Sequence, residues 1–319
     1  MTVARGKEHM QLAHRSFRVD LAYRIARRLV AARQAREAAA DAPQDADSSA
    51  AVDWQAYYEW RYRALKAQFT ENFSIEAIVG KEILDFGCGD GSLATMLMQA
   101  GANSVHGVDL DERGLERFAD RLERYSEPRR PTFSRSTSGK TIDVPDRAFD
   151  AIVCFDVMEH VIDYREIIFE WHRVLRPGGK VYIWWQPYWH PFGHHAHDWV
   201  PIPWAHVFLS PDEFTEVCAR IVDWPDFKPS LRDLNPDGSR KNRFRVPGAG
   251  KGYLNELTVR EFERVCADAR FELARREFHP FSMPQPLKAI SALATKLPRA
   301  RDFFSACAIY ELVASSPAD

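Results

Sequence analysis

The segment 85-DFGCGDG-91 places three glycines at alternate positions, between an apolar stretch and a helical one. A turn of this kind lets a ligand approach the main chain where a Cβ atom would collide, and it presents N–H groups at the start of a helix. Asp109 ends the next apolar stretch, eighteen residues beyond Gly91. A carboxylate there can accept hydrogen bonds from both hydroxyls of a ribose. Together these features predict a nucleoside-binding site.

Two further positions indicate the kind of nucleoside. The dinucleotide-binding pattern GxGxxG requires a third glycine at the position where this chain has Ser92. Asp85 directly precedes Phe86 and the first glycine. An acid there suits a ligand with an ammonium group rather than one with a pyrophosphate.

A second group of chemically active residues is rich in histidine. Five of the eleven histidines lie in 189-WHPFGHHAHDWVPIPWAH-206. Histidine suits proton transfer because its pKa lies near neutral pH. We predict one functional base here, either His197, beside Asp198, or His206. A purely structural role is the second alternative, and a zinc or iron site, against which the flanking prolines argue, is the third.

Two smaller groups flank these segments. Asp156, Glu159 and His160 share one face if a helix begins there, so His160 is another candidate base; alternatively, the group holds its loop in place. Tyr58 and Arg61 lie in a helical stretch before the glycine turn. That helix could cover a ligand, with Arg61 facing a carboxylate and the aromatic ring facing a cation, or it could simply pack.

The elements that must position these residues alternate between strand and helix. The predicted strands are Glu82–Phe86, Ser104–Val108, Thr132–Arg135, Ala151–Phe155 and Lys180–Trp185, followed by Glu272–Phe278 and Ala306–Val313. The alternation predicts a doubly wound α/β fold, whose parallel sheet is covered on both faces. It breaks after residue 185, and we predict that residues 186–257 form a substrate cover at the carboxyl edge of the sheet.

Four segments resemble class I S-adenosylmethionine-dependent methyltransferases, and in particular the small-molecule types 11 and 12. The segments are 83-ILDFGCGDGS-92, 107-GVDLD-111, 149-FDAIVCFDVMEHV-161 and 173-RVLRPGGKVYIWW-185. The resemblance covers residues 55–185 well and 250–313 more loosely. It implies a Rossmann-like sheet of seven strands, with S-adenosylmethionine as cofactor.

The resemblance also implies roles for individual residues. Those implied to hold the methionine end are Asp85 and the main chain of Gly87, Cys88, Gly89 and Gly91. Asp109 would bind the ribose, Leu110 would line the adenine, and Phe155 and Asp156 would lie beside the sulfonium. In these families the loop after the third strand often carries an acid for the adenine amine. Here that position is Lys140 or Thr141.

The rest of the chain bears on organisation and partners. Residues 1–53 are predicted as a basic amphipathic helix over 10–37 and an acidic linker, 54–185 as the core, and 258–319 as its C-terminal part. This helix could lie on an anionic membrane or on nucleic acid, or it could serve as an organelle transit peptide. Alternatively, it could dock on its own domain or on a homodimer partner. A net charge of −2 gives no general attraction to nucleic acid. Scattered cysteines and the lack of a long apolar run predict a cytoplasmic chain without a transmembrane segment.

These features predict a methyltransferase that acts on a small organic molecule. O-methylation with His-assisted deprotonation is the first expectation. The alternatives are N- or C-methylation, metal-assisted O-methylation, or a non-catalytic metal- or ligand-binding protein on this scaffold.

Overall fold

The structure is a computed structural model that describes residues 2–39, 54–123, 130–229, 233–235, 237–246, 248–249, 254–281 and 287–315. The predicted acidic linker lies outside the described residues, except for residues 38 and 39, which continue the first helix. The described chain forms two compact units. One comprises residues 54–188 and 254–319, and the other comprises residues 1–53 and 189–253.

The elements are numbered in chain order. The strands are β1 (Glu82–Phe86), β2 (Ser104–Asp109), β3 (Thr132–Arg135), β4 (Phe149–Phe155), β5 (Leu175–Trp185), β6 (Phe271–Pro280) and β7 (Ser305–Ala314). The helices are α1 (Thr2–Ala39), α2 (Trp54–Asn72), α3 (Ser92–Gln99), α4 (Glu112–Glu123), α5 (Tyr164–Val174), α6 (Ala205–Phe208), α7 (Pro211–Val222), α8 (Val259–Asp268), α9 (Leu287–Ala294) and α10 (Arg301–Phe304). Within the described residues, none of these helices has the length and apolar character needed to cross a bilayer.

The first unit is built on a seven-stranded sheet in the order β3-β2-β1-β4-β5-β7-β6. Strands β1 to β5 run parallel to one another, whereas β7 runs antiparallel to both β5 and β6. This confirms the predicted doubly wound α/β fold. The strand order reverses between β1 and β4, and ligands bind at such a reversal, beyond the carboxyl ends of the strands. The segments that follow β1 and β4 are therefore the first place to look for a site.

Successive strand residues point to opposite sides of the sheet, and helices cover the side chains on both faces. Ile83 and Val153 face a cluster that includes Phe69 of α2 and Leu97 of α3. Their neighbours on β1 and β4 belong to a second cluster, which includes Trp171 of α5. Helices thus fix the sheet from both sides, and the carboxyl ends of its strands are held in register.

The second unit joins two segments that are far apart in sequence. Val19, Ala26 and Val30 of α1 are buried in one cluster with Val217 and Ile221 of α7. The N-terminal helix and the segment that follows β5 thus share one compact unit.

One predicted boundary was wrong. The strand predicted over Lys180–Trp185 was expected to begin only after the Pro-Gly-Gly at 177–179. Instead α5 ends at Val174, and β5 already begins at Leu175, which pairs with Phe149 of β4. An irregularity in the pairing between Phe149 and Ala151 accommodates the extra residues.

Candidate functional site

The turn after β1 has the conformation that the glycines predict. Gly89 has a φ of +51°, and a Cβ atom built on it would meet nothing within 4 Å, so the turn is open at this point. Gly91 has a φ of +75° and precedes α3; a Cβ atom there would lie 2.3 Å from the Phe118 ring. Gly89 leaves the main chain accessible to a ligand, while Gly91 allows Phe118 of α4 to pack closely against the turn.

Asp85 lies beneath this turn and is 1% exposed. Burial, and then the charge of Asp109, raise the pKa of Asp85 to about 8, against a lowering by a main-chain hydrogen bond from Ala94 and by Arg61. Its Oδ2 atom accepts no hydrogen bond from any described residue. Buried carboxylate oxygens are rarely left in this state, and a cationic donor such as an ammonium group would satisfy it.

Asp109 at the end of β2 is held by the turn itself. Its Oδ2 accepts a hydrogen bond from the N–H of Gly89 at 2.7 Å, and its Oδ1 accepts one from the N–H of Asp111 at 2.7 Å. Each carboxylate oxygen has a second lone pair, so both can still accept a ligand hydroxyl. Leu110 follows and is 56% exposed, as an apolar contact for a base requires. The Cys88 side chain is buried under Gly107, so Cys88 offers only its main chain to a ligand.

Helix α2 is tied to the glycine turn through an arginine of α4. The guanidinium of Arg121 lies over the Tyr58 ring, 3.4 Å from its centroid. The same guanidinium donates to the carbonyl oxygen of Asp90 and lies 3.4 Å from its carboxylate. The cation that faces Tyr58 is thus part of the chain, and we infer that Tyr58 supports the turn through Arg121.

The turn after β4 carries strain at the predicted position. Asp156 has a φ of +57°, which is uncommon for a residue with a side chain and is often found at functional sites. Its N–H donates to the carbonyl of Trp184 at 3.1 Å. Burial raises the pKa of Asp156, whereas Arg61, whose Nη1 lies 3.8 Å from its Oδ2, lowers it.

The Phe155 side chain, unlike that of Asp156, lies in the core. Its ring is buried against Phe69 and Phe73, with centroid distances of 5.8 and 5.7 Å. The predicted contact of Phe155 with the sulfonium therefore falls to its main chain, because its side chain belongs to the core.

A cleft of about 440 Å³ opens beside Asp156. Its walls include Trp60 and Arg61 of α2, Trp184 of β5 and His279 of β6. The Nε2 atom of His279 lies 3.8 Å from Oε2 of Glu277. Trp184 and His279 could not be predicted as neighbours from the sequence, since they meet only when β6 is placed two strands from β5. The cleft combines aromatic walls, a cation, a carboxyl group and a histidine, which suits a small polar ring.

The loop after β4 is held by hydrogen bonds from Asn255. The side-chain amide of Asn255 donates to the carbonyls of Met158 and Val161 at 2.7 and 2.8 Å, and its N–H donates to the carbonyl of Glu159 at 2.8 Å. Glu159 is 1% exposed, and burial followed by the charge of Asp156 raises its pKa to about 8. His160 ends the short 3-10 helix Met158–His160 and is half-buried. Asn255 is a positioning residue that sequence reasoning missed.

The loop after β3 departs from the family pattern, as the sequence indicated. Lys140 is one of the two residues at the expected acidic position, and its Nζ lies 3.6 Å from Oδ1 of Asp163. The N–H of Ile142 donates to the Glu170 carboxylate at 2.9 Å, and Arg173 donates to the Ile142 carbonyl at 2.7 Å. The loop is thus anchored to α5, and an adenine contact would come from its main chain.

The histidine-rich segment belongs to the second unit, where two of its histidines are structural. The Nδ1 atoms of His190 and His194 accept hydrogen bonds from the N–H groups of Phe192 and Ala196 at 3.2 and 3.0 Å. Burial, followed by the neighbouring histidines, lowers the pKa of His190 to about 3 and that of His194 to about 2. These two rings therefore remain neutral, and they organise turns by accepting hydrogen bonds from main-chain amides.

The two histidines predicted as bases lie elsewhere in this unit. The His197 side chain is 59% exposed, with Nε2 3.6 Å from Oδ1 of Asp198. Asp198 is itself held by Arg33 of α1 at 3.0 Å. The His206 ring lies in α6, 5.1 Å from that of His194. Their roles as bases stay predictions.

Comparison with known proteins identifies the domain. Residues 84–183 match a type 11 family described as a methyltransferase domain. A ubiquinone biosynthesis O-methyltransferase of Pseudomonas aeruginosa is 33% identical over 106 residues, which are 33% of this chain and 44% of that protein. The enzyme of the same name from Idiomarina loihiensis is 33% identical over 115 residues, or 36% and 46% of the two chains. The chain thus spans less than half the length of these curated relatives.

Solved structures give more distant likenesses. An S-adenosylmethionine-dependent methyltransferase from Mesorhizobium loti is 20% identical, covering 80% of this chain and 97% of that chain, with a TM-score of 0.45. One from Methanosarcina mazei is 18% identical, covering 74% and 93%, with a TM-score of 0.43.

The glycine turn, the acid ending β2, the strand order and the domain match define a class I methyltransferase domain within the first unit. The predicted family is therefore confirmed for this domain. Domains of this class use S-adenosylmethionine as the methyl donor.

Proposed function

We propose that this chain is an S-adenosylmethionine-dependent methyltransferase that acts on a small organic molecule, with oxygen as the first expected acceptor atom. The single observation that carries the proposal is the buried Asp85, whose Oδ2 has no hydrogen-bond donor among the described residues. A nucleoside without a cationic group would leave it unsatisfied. The oxygen acceptor is supported by the names of the relatives, which are O-methyltransferases.

The donor, when bound, supplies an activated methyl group, and the chain's own residues bind and orient. Asp85 would take the ammonium group and Asp109 the ribose hydroxyls, while the main chain from Gly87 to Gly91 would follow the methionine end. Leu110 would cover one face of the adenine ring. Holding donor and acceptor in line is worth several kcal/mol.

We assign the acceptor to the cleft beside Asp156. Trp60 and Trp184 would flank a planar molecule, while Arg61 and His279 offer polar contacts at its walls.

An acceptor hydroxyl must lose a proton during transfer, and His160, His197 and His206 are the proposed bases. Their replacement by Ala should identify one residue whose loss lowers kcat by about 10²-fold or more without weakening donor binding. If all three variants retain kcat, the base is another group, and Asp156 is then tested next.

Titration calorimetry of the full chain with S-adenosylhomocysteine and S-adenosylmethionine tests the donor site. Asp85→Asn keeps the shape of the side chain but removes its charge, and it should weaken binding by about 10- to 100-fold. Because the pKa of Asp85 is raised to about 8, a neutral Asp85 must release a proton when it pairs with an ammonium group at pH 7. Buffers of different ionisation enthalpy should reveal that release in the unaltered chain and not in Asp85→Asn.

The matched control is Glu116→Gln, which removes an exposed carboxylate from α4 and should bind as the unaltered chain does. Binding of NAD in place of the methionine nucleosides, or equal binding by Asp85→Asn, would overturn the proposal. Release of S-adenosylhomocysteine in the presence of small phenols, catechols and amines then ranks the acceptor atoms.

A further inference from the structure

Helix α1 presents large apolar side chains to solvent. Phe17, Leu21, Ile25 and Leu29 recur every fourth residue and are 64%, 49%, 42% and 42% exposed. At about 100° per residue, the three steps between these four residues describe an arc of roughly 120° along one side of the helix. We call this side, from Phe17 to Arg36, the outward face of α1.

The opposite side of α1 accounts for the packing of the helix within its own unit. Val19, Ala26 and Val30 are at most 8% exposed and lie in the cluster with α7. The outward face is therefore surplus to that core, since the helix is already anchored without it. Scattered apolar side chains on a surface need no explanation, but a continuous row of four does.

The charge on the outward face has one sign. Residues 17–36 contain six arginines and a single acid, Asp20. Asp20 lies off this face and is paired with Arg220 of α7 at 2.5 Å. Arg24 and Arg28 project beside Phe17 and Leu21, and both are exposed. Among the described residues, no ion pair involves either of them.

Three other arginines of this segment are engaged by residues of their own unit. Arg33 is held by Asp198 at 3.0 Å, and Arg27 lies over the Trp224 ring at 5.7 Å. Arg18 is 3.6 Å from Glu213. The cations of α1 that face the rest of its own unit are thus occupied, whereas Arg24 and Arg28 on the outward face are available to an external anion.

We propose that the outward face of α1 binds the surface of an anionic lipid membrane. A helix that combines a row of large apolar side chains with unpaired arginines lies in the headgroup region, with its apolar side chains entering the acyl boundary. Each arginine near an anionic surface adds attraction that is screened by salt. This proposal does not depend on the proposed methyl transfer.

Two other occupants fit the face less well. In a symmetric dimer the same patch would meet itself, and Arg24 and Arg28 would then face arginines, with no acid on the face to compensate. Nucleic acid would engage the arginines but would leave the four apolar side chains against water. An anionic membrane is the partner that satisfies both the charge and the apolar row.

Flotation of the full chain with vesicles tests the proposal at moderate salt. One set contains phosphatidylcholine alone, and the other also contains phosphatidylserine. We expect binding to the phosphatidylserine vesicles only. Arg24→Glu/Arg28→Glu should lower the partition coefficient by about 30-fold, and Leu21→Ser/Ile25→Ser by about tenfold.

The matched control is Lys228→Glu/Lys241→Glu, which makes the same change in charge at exposed positions outside α1 and should bind vesicles within about twofold of the unaltered chain. Circular dichroism and S-adenosylhomocysteine calorimetry show that each variant is folded. Equal recovery with both vesicle types, or an equal loss in the control, overturns the proposal. So does sedimentation that shows a dimer abolished by Leu21→Ser/Ile25→Ser while vesicle binding is absent, or preferential binding of duplex DNA.

Discussion

The Nη1 atom of Arg61 lies 3.8 Å from Oδ2 of Asp156, and this contact joins helix α2 to the carboxyl end of β4. The same guanidinium also lowers the pKa of Asp85, which follows from its proximity to β1. Burial acts in the opposite direction on both carboxyl groups and raises the pKa of each. One cation from α2 therefore favours the ionised forms of two carboxyls on neighbouring strands.

Replacing Arg61 by Gln should move the pH dependence of donor binding to higher pH. Without the guanidinium, the pKa values of Asp85 and Asp156 rise further, so a higher pH is needed to ionise them. We expect the affinity for S-adenosylhomocysteine to fall more at pH 6.5 than at pH 8.5. Calorimetry across this range measures the effect. Arg61→Lys keeps the charge and should retain most of the original profile; an unchanged profile in Arg61→Gln would show that Arg61 does not act on these carboxyls.

Asp85→Asn should make the free protein more stable at alkaline pH. An acid whose pKa is raised to about 8 in the folded chain binds a proton that the unfolded chain has lost above its ordinary pKa near 4. Stability of the unaltered chain should therefore decline as pH rises from about 4 toward 8. The neutral amide escapes this decline, so Tm without donor should be higher for Asp85→Asn at pH 8, with a smaller difference at pH 5. Glu116→Gln serves again as the exposed control, and a constant difference across pH would contradict the assignment.

The two glycines of the turn should respond differently to alanine. Gly91→Ala combines a positive φ with a Cβ atom 2.3 Å from the Phe118 ring, and it should destabilise the chain by about 2–4 kcal/mol. Gly89→Ala meets no atom within 4 Å, so only the backbone preference, about 1 kcal/mol, should be lost. Because Gly89 faces open space, we expect its substitution to weaken donor binding more than stability. Chemical denaturation and calorimetry on both variants separate the two effects, and the reverse ranking would refute this reading of the turn.

The sheet and the glycine turn were predictable because their signals are local. Five alternating apolar stretches and the run from Asp85 to Gly91 each lie within a short window of sequence. The cleft was not predictable in this way, since Trp184 and His279 are brought together only by the antiparallel β7 that separates their strands. Asn255 was missed for the same reason, because its partners Met158 and Val161 are almost a hundred residues away.

The histidine-rich segment shows a second limit on what can be predicted from sequence. Residue type and spacing indicated where proton transfer was possible, but burial decides which rings can take a proton. His194 and His190 are 8% and 5% exposed, whereas the His197 side chain is 59% exposed. The residue types do not indicate which of these positions is buried, since all three lie in one short run rich in histidine, proline and aromatic residues.

The buried histidines should make the second unit sensitive to acid. A histidine whose pKa falls to about 2 or 3 in the folded chain stays neutral there, while the unfolded chain takes up a proton below its ordinary pKa near 6.5. The unfolded state then binds more protons, so stability should be lost as pH falls from about 6.5 toward 3. Asp85 and Glu159 in the first unit have raised pKa values and change in the opposite direction between pH 8 and about 4. Hydrogen exchange should therefore show the amides of α7 losing protection at a higher pH than those of β4.

His194→Asn tests this acid sensitivity, because an Asn oxygen can accept the hydrogen bond from the N–H of Ala196 that the His194 ring accepts at 3.0 Å, and it carries no charge at any pH. We expect a variant of lower stability at pH 7, owing to the lost ring, whose stability changes less between pH 6.5 and pH 4. His197→Asn removes an exposed histidine and should leave the slope of stability against pH unchanged. An equal reduction of that slope by both substitutions would show that burial of His194 is not the cause.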